Sequence, residues 1–213
     1  MKKVPNLPMK NKENAILEAA LRVIKQKGFH KARMADIARK ADISYGLVYH
    51  YFSTKEELFE TLLERWWEGL FSLMAQISGA TADVEEKLRC VIHYFLSTYQ
   101  DHPDLVNIFI TEISRSTANL TRNRLERFKG FITLTESMIA QGQDRGVLRN
   151  DIKARYLTYV FLGSLETFVS AMVLVDQRIQ GDDQKERIAR SILEVFLNGA
   201  RNRKRGKRTE RET

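Results

Sequence analysis

Apolar residues recur along this chain at intervals of three and four, the period of a helix with one buried face, and no strand-like alternation persists. Ile16, Leu17, Ala20, Leu21 and Ile24 form one such stripe. Asn11 precedes it as a candidate cap, and Gly28 closes it after Lys25 and Lys27, cations that suit the negative end of a helix dipole. A short helix follows from about Arg33 to Ala41, burying Ile37, Ala38 and Ala41. Another covers Tyr45 to Tyr49 behind Ser44, a natural N-cap, so only Asp42 and Ile43 separate the two. Ser53-Thr54-Lys55-Glu56 reads as a capping box, Ser53 bonding the amide of Glu56 and Glu56 reaching back, ahead of a long helix with Leu58, Leu62, Trp66 and Leu70 on one side. Asp83 and Glu86 open the next helix in the same way, towards Leu88, Val91, Ile92 and Phe95. Pro103 stands at the first position of a shorter one. Further helices run over roughly 121–145, 153–176 and 183–199, with Gly146 and Gly199 at the stops. The pattern predicts an all-α protein of about nine helices without internal repeats.

Charge divides the chain. Residues 1–55 hold 12 Lys and Arg against 4 Asp and Glu, residues 56–199 hold 16 against 21, and residues 200–213 hold 7 against 2. The basic excess therefore sits at the two ends, and a polyanion is the natural partner of the N-terminal one. The expected organisation is a flexible basic arm (1–10), a small helical unit (11–55), a larger mildly acidic helical unit (56–199) and a disordered basic tail (200–213).

Other function classes find less support. Cys90 is the only cysteine, so no internal disulfide forms, and the chemistry suits a reducing cytoplasm, the expected location. The opening MKKVPNLPMK has charge but no apolar run behind it and is not read as a secretory leader. Tyr156–Val175 is long enough to span a bilayer, but Glu166 near its centre would cost about 2.5–3.5 kcal/mol there, so it is read as a buried or interface helix and no membrane partner is expected. A basic protein lying on anionic lipid is a rival reading; against it, the helix at 11–27 mixes Lys with Glu13 and Glu18 and has no aromatic face. His30, His50, His93 and His102 show no metal-ligand spacing, and neither a phosphate loop nor a nucleophile motif is present, so no catalytic residue, metal or cofactor is expected.

Residues 28–59, GFHKARMADIARKADISYGLVYHYFSTKEELF, carry the most specific signal. Gly28, Phe29, Ile37, Ala38, Ala41, Ser44, Gly46, Tyr49, Tyr51, Phe52, Ser53, Lys55 and Glu56 stand in the order and spacing shared by the TetR family of bacterial repressors, and the segment resembles that family's helix-turn-helix. The resemblance implies a homodimer on double-stranded operator DNA, the third helix lying in the major groove. The candidate DNA-binding residues are Arg33, Met34, Ser44, Tyr45, Gly46, Leu47, Tyr49, His50 and Lys55. Gly46 leaves the backbone bare for close approach. Tyr49 reaches a base or a phosphate, and Tyr51 is equally a packing residue or a phosphate contact. Lys55, beside a helix N-terminus, is placed for the DNA backbone. The sequence departs from the family pattern at Ala32, Tyr45 and Leu47, and at Asp42, where the family usually has Gly. Asp tolerates the left-handed turn better than most residues, so the turn should survive.

The resemblance also implies a ligand pocket and a dimer interface after the DNA unit. Tyr156, Tyr159, Val160, Gly163 and Thr167, with Ile188, Ile192 and Phe196, are the candidate interface. Trp66, Trp67, Phe71, Phe95, Tyr99, Phe109, Phe128 and Phe131, with the polar Asn107, Glu112, Arg115 and Glu166, are the candidate pocket for a small apolar effector. The segments ITEISRS (110–116), GFITLTESMIAQGQDRGVL (130–148) and FLGSLETFV (161–169) look like the TetR repressors that sense long-chain acyl-CoA and govern fatty-acid degradation. In that reading Arg115 and Arg122 meet the CoA phosphates, and ligand favours a spacing of the reading heads that does not fit DNA.

Overall fold

The computed structural model describes residues 9–80, 82–103, 105–106 and 122–201. Eight helices are described there: α1 Met9–Lys27, α2 Met34–Ala41, α3 Tyr45–Tyr51, α4 Lys55–Gly79, α5 Val84–Asp101, α6 Arg122–Asp144, α7 Ala154–Leu174 and α8 Gly181–Ala200. Pro103, Leu105 and Val106 are helical as well, and the rest of the expected ninth helix lies outside the described residues. Among those residues the only β feature is a bridge between Leu148 and Arg201, joined by the Arg149 amide bonding the Ala200 carbonyl at 2.7 Å. The basic arm and tail expected at the ends lie outside, apart from the residues that open α1 and close α8.

Local chemistry explains the boundaries. α1 begins at Met9, so Asn11 lies inside it rather than capping it. It stops at Gly28, whose φ of 76° costs a glycine nothing. Asp42 ends α2 in the left-handed conformation (φ 56°, ψ 42°). The Asp42 amide bonds the Arg39 carbonyl (3.4 Å) and the Ile43 amide the Ala38 carbonyl (3.0 Å), the paired bonds of a Schellman end. α2 starts without a side-chain cap, because Ala32 is buried and Arg33 makes no cap bond. The capping box of α4 is displaced by one residue from its expected position: Thr54 accepts from the Glu57 amide (3.0 Å) and Glu57 accepts from the Ser53 amide (2.7 Å). Asp83 caps α5 as expected, accepting from the Glu86 amide at 2.8 Å.

Two apolar cores result. The smaller gathers Ile16, Leu17, Ala20, Val23 and Ile24 of α1 with Met34, Ile37, Ala38, Val48 and Phe52. It also takes in Leu58, Phe59, Leu62 and Leu63 of α4, and Leu105. A boundary at 55 therefore cuts through this core rather than beside it. The larger core joins α4 through α8 around Leu70, Leu88, Ile92, Met138, Ile139, Phe161 and Leu193. Trp66 packs against both. α4 and α5 approach closely where Tyr94 donates its hydroxyl to the Trp66 carbonyl (2.6 Å). A Cβ on Gly69 would stand 2.5 Å from that hydroxyl, so position 69 has no room for a side chain. Burial pushes the Tyr94 phenol up to about 12.

Candidate DNA-reading head and effector cavity

α2 and α3 form a helix-turn-helix on the outside of the smaller core. Ile37, Ala38 and Val48 hold the two helices against α1, which turns the other side of α3 to solvent. Ser44 caps α3 by accepting from the Leu47 amide (3.3 Å). Tyr45 and Tyr49, one turn apart, pack edge to face with centroids 4.8 Å apart, and Tyr45 donates its hydroxyl to that of Tyr49 (3.1 Å). That bond, ahead of partial burial, holds the Tyr49 phenol above its ordinary range. Gly46 is exposed, with no atom within 4 Å of where a Cβ would stand; Leu47 is half-buried beside it, and His50 is exposed with its ring edge-on to Tyr51.

Two expected residues fall differently, and Arg33 stays open to solvent. Met34 is buried in the smaller core and cannot reach a groove. The Lys55 ammonium is occupied within its own chain, donating to the Phe29 carbonyl (3.0 Å) and the His30 carbonyl (3.5 Å) and lying 4.5 Å from the centre of the Phe29 ring. It clasps the end of α1 to the start of α4 instead of facing outward. Arg33 is exposed on an open concave surface that it shares with Gln26, Lys27, His30, Lys31 and Asp36. The Lys27 hydrogen bond holds the Asp36 carboxyl below its usual range, and Arg39 pairs with the same carboxylate. His30 and Lys31 were not singled out from the sequence, although the charge count pointed to this stretch.

A cavity of about 460 Å³ opens in the larger unit between α5, α6 and α7. Phe95, Phe128 and Phe131 line it as the sequence suggested, and Glu166 is the one charged residue among the described lining. Glu166 accepts from Ser170 Oγ (3.0 Å) and Thr167 Oγ1 (3.4 Å) of its own helix. The other described aromatic candidates are packing residues. Trp67 stacks on Phe71 (5.8 Å) within the core, Trp66 donates from Nε1 to Thr98 Oγ1 (2.9 Å), and Tyr99 donates to the Gln177 carbonyl (2.7 Å). Asn107, Phe109, Glu112, Arg115 and the side chain of Arg122 lie outside the described residues. Val106, Ile132, Tyr159, Leu162, Gly163, Leu165 and Val169 complete the described lining.

α7 has two working faces besides its buried one. Tyr159 and Gly163, expected at a dimer interface, line the cavity and are exposed. Val160, Ser164 and Phe168, about a third of a turn round, line an apolar groove of about 420 Å³ with Ile192, Val195, Phe196 and Gly199 of α8. Val160 is 60% exposed and Val195 77%, while Ile192 and Phe196 are largely buried in their own chain. Tyr156 and Thr167 are exposed, and Ile188 is half-buried against the core. α7 is also the one helix among the described residues long and apolar enough to cross a bilayer by length and composition, with a third of that stretch buried.

Residues 16–62 match the family model described as bacterial regulatory proteins, tetR family, and residues 67–196 match that of the YsiA-like protein, C-terminal region. The chain belongs to the tetR family of bacterial regulatory proteins. The regulator is 24% identical over 188 residues to the fatty acid metabolism regulator protein of Bacillus subtilis (strain 168), covering 88% of this chain and 95% of that one. Its fold superimposes on the FadR regulator of Bacillus subtilis in complex with stearoyl-CoA with a TM-score of 0.70, at 24% identity over 87% of this chain and 98% of the other. The fatty acid degradation regulator FadR of Bacillus halodurans gives a TM-score of 0.68 at 25% identity, over 95% and 100% of the two chains. The regulator is thus a helix-turn-helix transcription factor, and these relatives are regulators rather than enzymes.

Proposed function

We propose that this regulator binds a palindromic operator as a homodimer, represses from it, and is released by an apolar effector held between α5, α6 and α7. In this reading residues 11–55 and the first turns of α4 are the DNA-binding unit. Ser44, Tyr45, Gly46, Leu47, Tyr49 and His50 on and before α3 face the groove, with Arg33 on the DNA backbone. Residues 56–199 hold the effector and the partner subunit. The observation that carries the effector half is the cavity itself, its described lining apolar apart from Glu166 and Tyr159 and its volume about that of a small-molecule site. Long-chain acyl-CoA is the candidate effector, supported by the likeness to fatty-acid regulators, one of them seen with stearoyl-CoA.

The route from cavity to DNA runs through shared packing. Val106 lines the cavity while Leu105, its neighbour, is buried in the core of the DNA-binding unit. Trp66 touches both cores, and Arg65 ties α4 to α1 through Glu13 (2.8 Å) and Asn14 (2.6 Å). A ligand that displaces α5 or Val106 must therefore shift α4 against α1. Only a difference in ligand affinity between the two arrangements moves the equilibrium.

The test is a duplex selected from a random library by the full-length protein, followed by anisotropy titration with palmitoyl- and stearoyl-CoA. Release at micromolar ligand is expected. Gly163→Leu, which fills cavity space where no atom lies within 4 Å of a Cβ, should keep DNA affinity and lose the response. An operator complex indifferent to either acyl-CoA removes acyl-CoA as the effector.

A further inference from the structure

α3 carries an unusual set of side chains for reading DNA. Its residues are Tyr45, Gly46, Leu47, Val48, Tyr49, His50 and Tyr51. None is Arg, Lys, Asn, Gln, Asp or Glu, the types that grip guanine or adenine with paired hydrogen bonds or accept from the cytosine amino group. Ser44, just before the helix, already accepts from the Leu47 amide. The exposed cations Lys31, Arg33 and Lys40 stand on α2 and the connection before it, positions suited to phosphates.

What α3 does present is apolar. Tyr45 is 53% exposed and Tyr49 40%, their rings locked together edge to face, with Leu47 on the same end of the helix. Tyr45 spends its hydroxyl proton on Tyr49, so the pair offers ring faces and edges and a single remaining O–H, that of Tyr49. Gly46 between them leaves open space, so the helix axis can come close enough for a leucine and two rings to touch base edges. The thymine C5 methyl is the projecting apolar group that the major groove offers. His50, exposed beside Tyr49, has no paired donors with which to grip a guanine.

We propose that this regulator reads its half-site through thymine methyl groups, with Tyr45, Tyr49 and Leu47 packed against A·T pairs and no guanine held from α3. The proposal rests on α3 being the DNA-reading helix. Half-sites are selected from a random duplex library with the full-length protein, and each thymine in the consensus is then replaced by deoxyuridine, which removes only the methyl. The selected core should be A·T-rich, and deoxyuridine should weaken binding about fourfold per contacted methyl, the worth of one buried methyl-sized group. Tyr45→Ala, at an exposed position where circular dichroism can verify folding, should erase the penalty at one thymine and leave the others. An invariant G·C pair under α3, together with binding indifferent to deoxyuridine, overturns the proposal. Failure to enrich any half-site refutes the DNA-reading role of α3 instead.

Discussion

Gly46 sits on an exposed turn of α3 where alanine would make a more stable helix, and nothing in the free chain occupies the space a methyl would fill. A residue that costs stability without an internal reason points to an external one. Gly46→Ala should raise unfolding stability by about 0.5 kcal/mol in urea titrations while lowering operator affinity at least tenfold; a variant that gained both would remove the close-approach role. His102 is a second residue whose surroundings set its behaviour. Its Nδ1 is buried at the end of α5 with no hydrogen-bond partner among the described residues, and burial, against an opposing pull from Asp101 and with a smaller push from Lys25, presses its pKa below 6.5. The folded chain therefore resists a proton that the unfolded chain accepts. Stability from this group is complete above pH 6.5 and falls as pH drops from there towards the folded value. Denaturation midpoints measured between pH 7.5 and 5.5 (pH values chosen about 1 unit either side of the unfolded value) should fall more steeply for the native chain than for His102→Gln.

At the scale of the element, the start of α4 shows how far a motif can be read. Ser53-Thr54-Lys55-Glu56-Glu57 contains two overlapping capping boxes one residue apart, and periodicity alone does not choose between them. The tertiary contacts choose: Phe52 and Leu58 are buried, and Lys55 is drawn back onto Phe29, which leaves Thr54 and Glu57 to close the turn. Thr54→Ala should cost about 1 kcal/mol in thermal or urea unfolding, whereas Ser53→Ala and Glu56→Ala should each change it by less than about 0.5 kcal/mol; equal losses at Ser53 and Thr54 would contradict the frame seen here. The same limit applies to the outer faces of α7. Tyr159 and Val160 differ by one position in an almost wholly apolar helix, so spacing marks α7 as buried on several sides without saying which side meets the cavity. The helix count, the Schellman end at Asp42 and the separation of α2 from α3 were legible because each depends on neighbours in sequence. Lys55 and Met34 were not, because what occupies them comes from elsewhere in the chain.

The whole molecule is two cores strung on one long helix, with an apolar face left over. Phe168, Val160 and Val195 flank a groove that no other part of the described chain covers. Uncovered valines and a phenylalanine set together on two adjacent helices are costly in water and match their own copy across a two-fold axis. Two reading heads on one duplex must also be held about 34–36 Å apart, a spacing that a single chain has no means to fix. Both arguments favour the α7–α8 face as the seat of the proposed partner subunit. Val195→Glu introduces a carboxylate at a largely exposed position, so the monomer should keep its helical circular dichroism. Across a two-fold interface the same change sets two carboxylates into an apolar contact. Sedimentation should then show a monomer where the native chain is a dimer. Operator affinity should fall by about two orders of magnitude, because the second head no longer binds at the effective concentration set by the first. A Val195→Glu chain that still sediments as a dimer and binds its operator unchanged would move the interface elsewhere on the molecule.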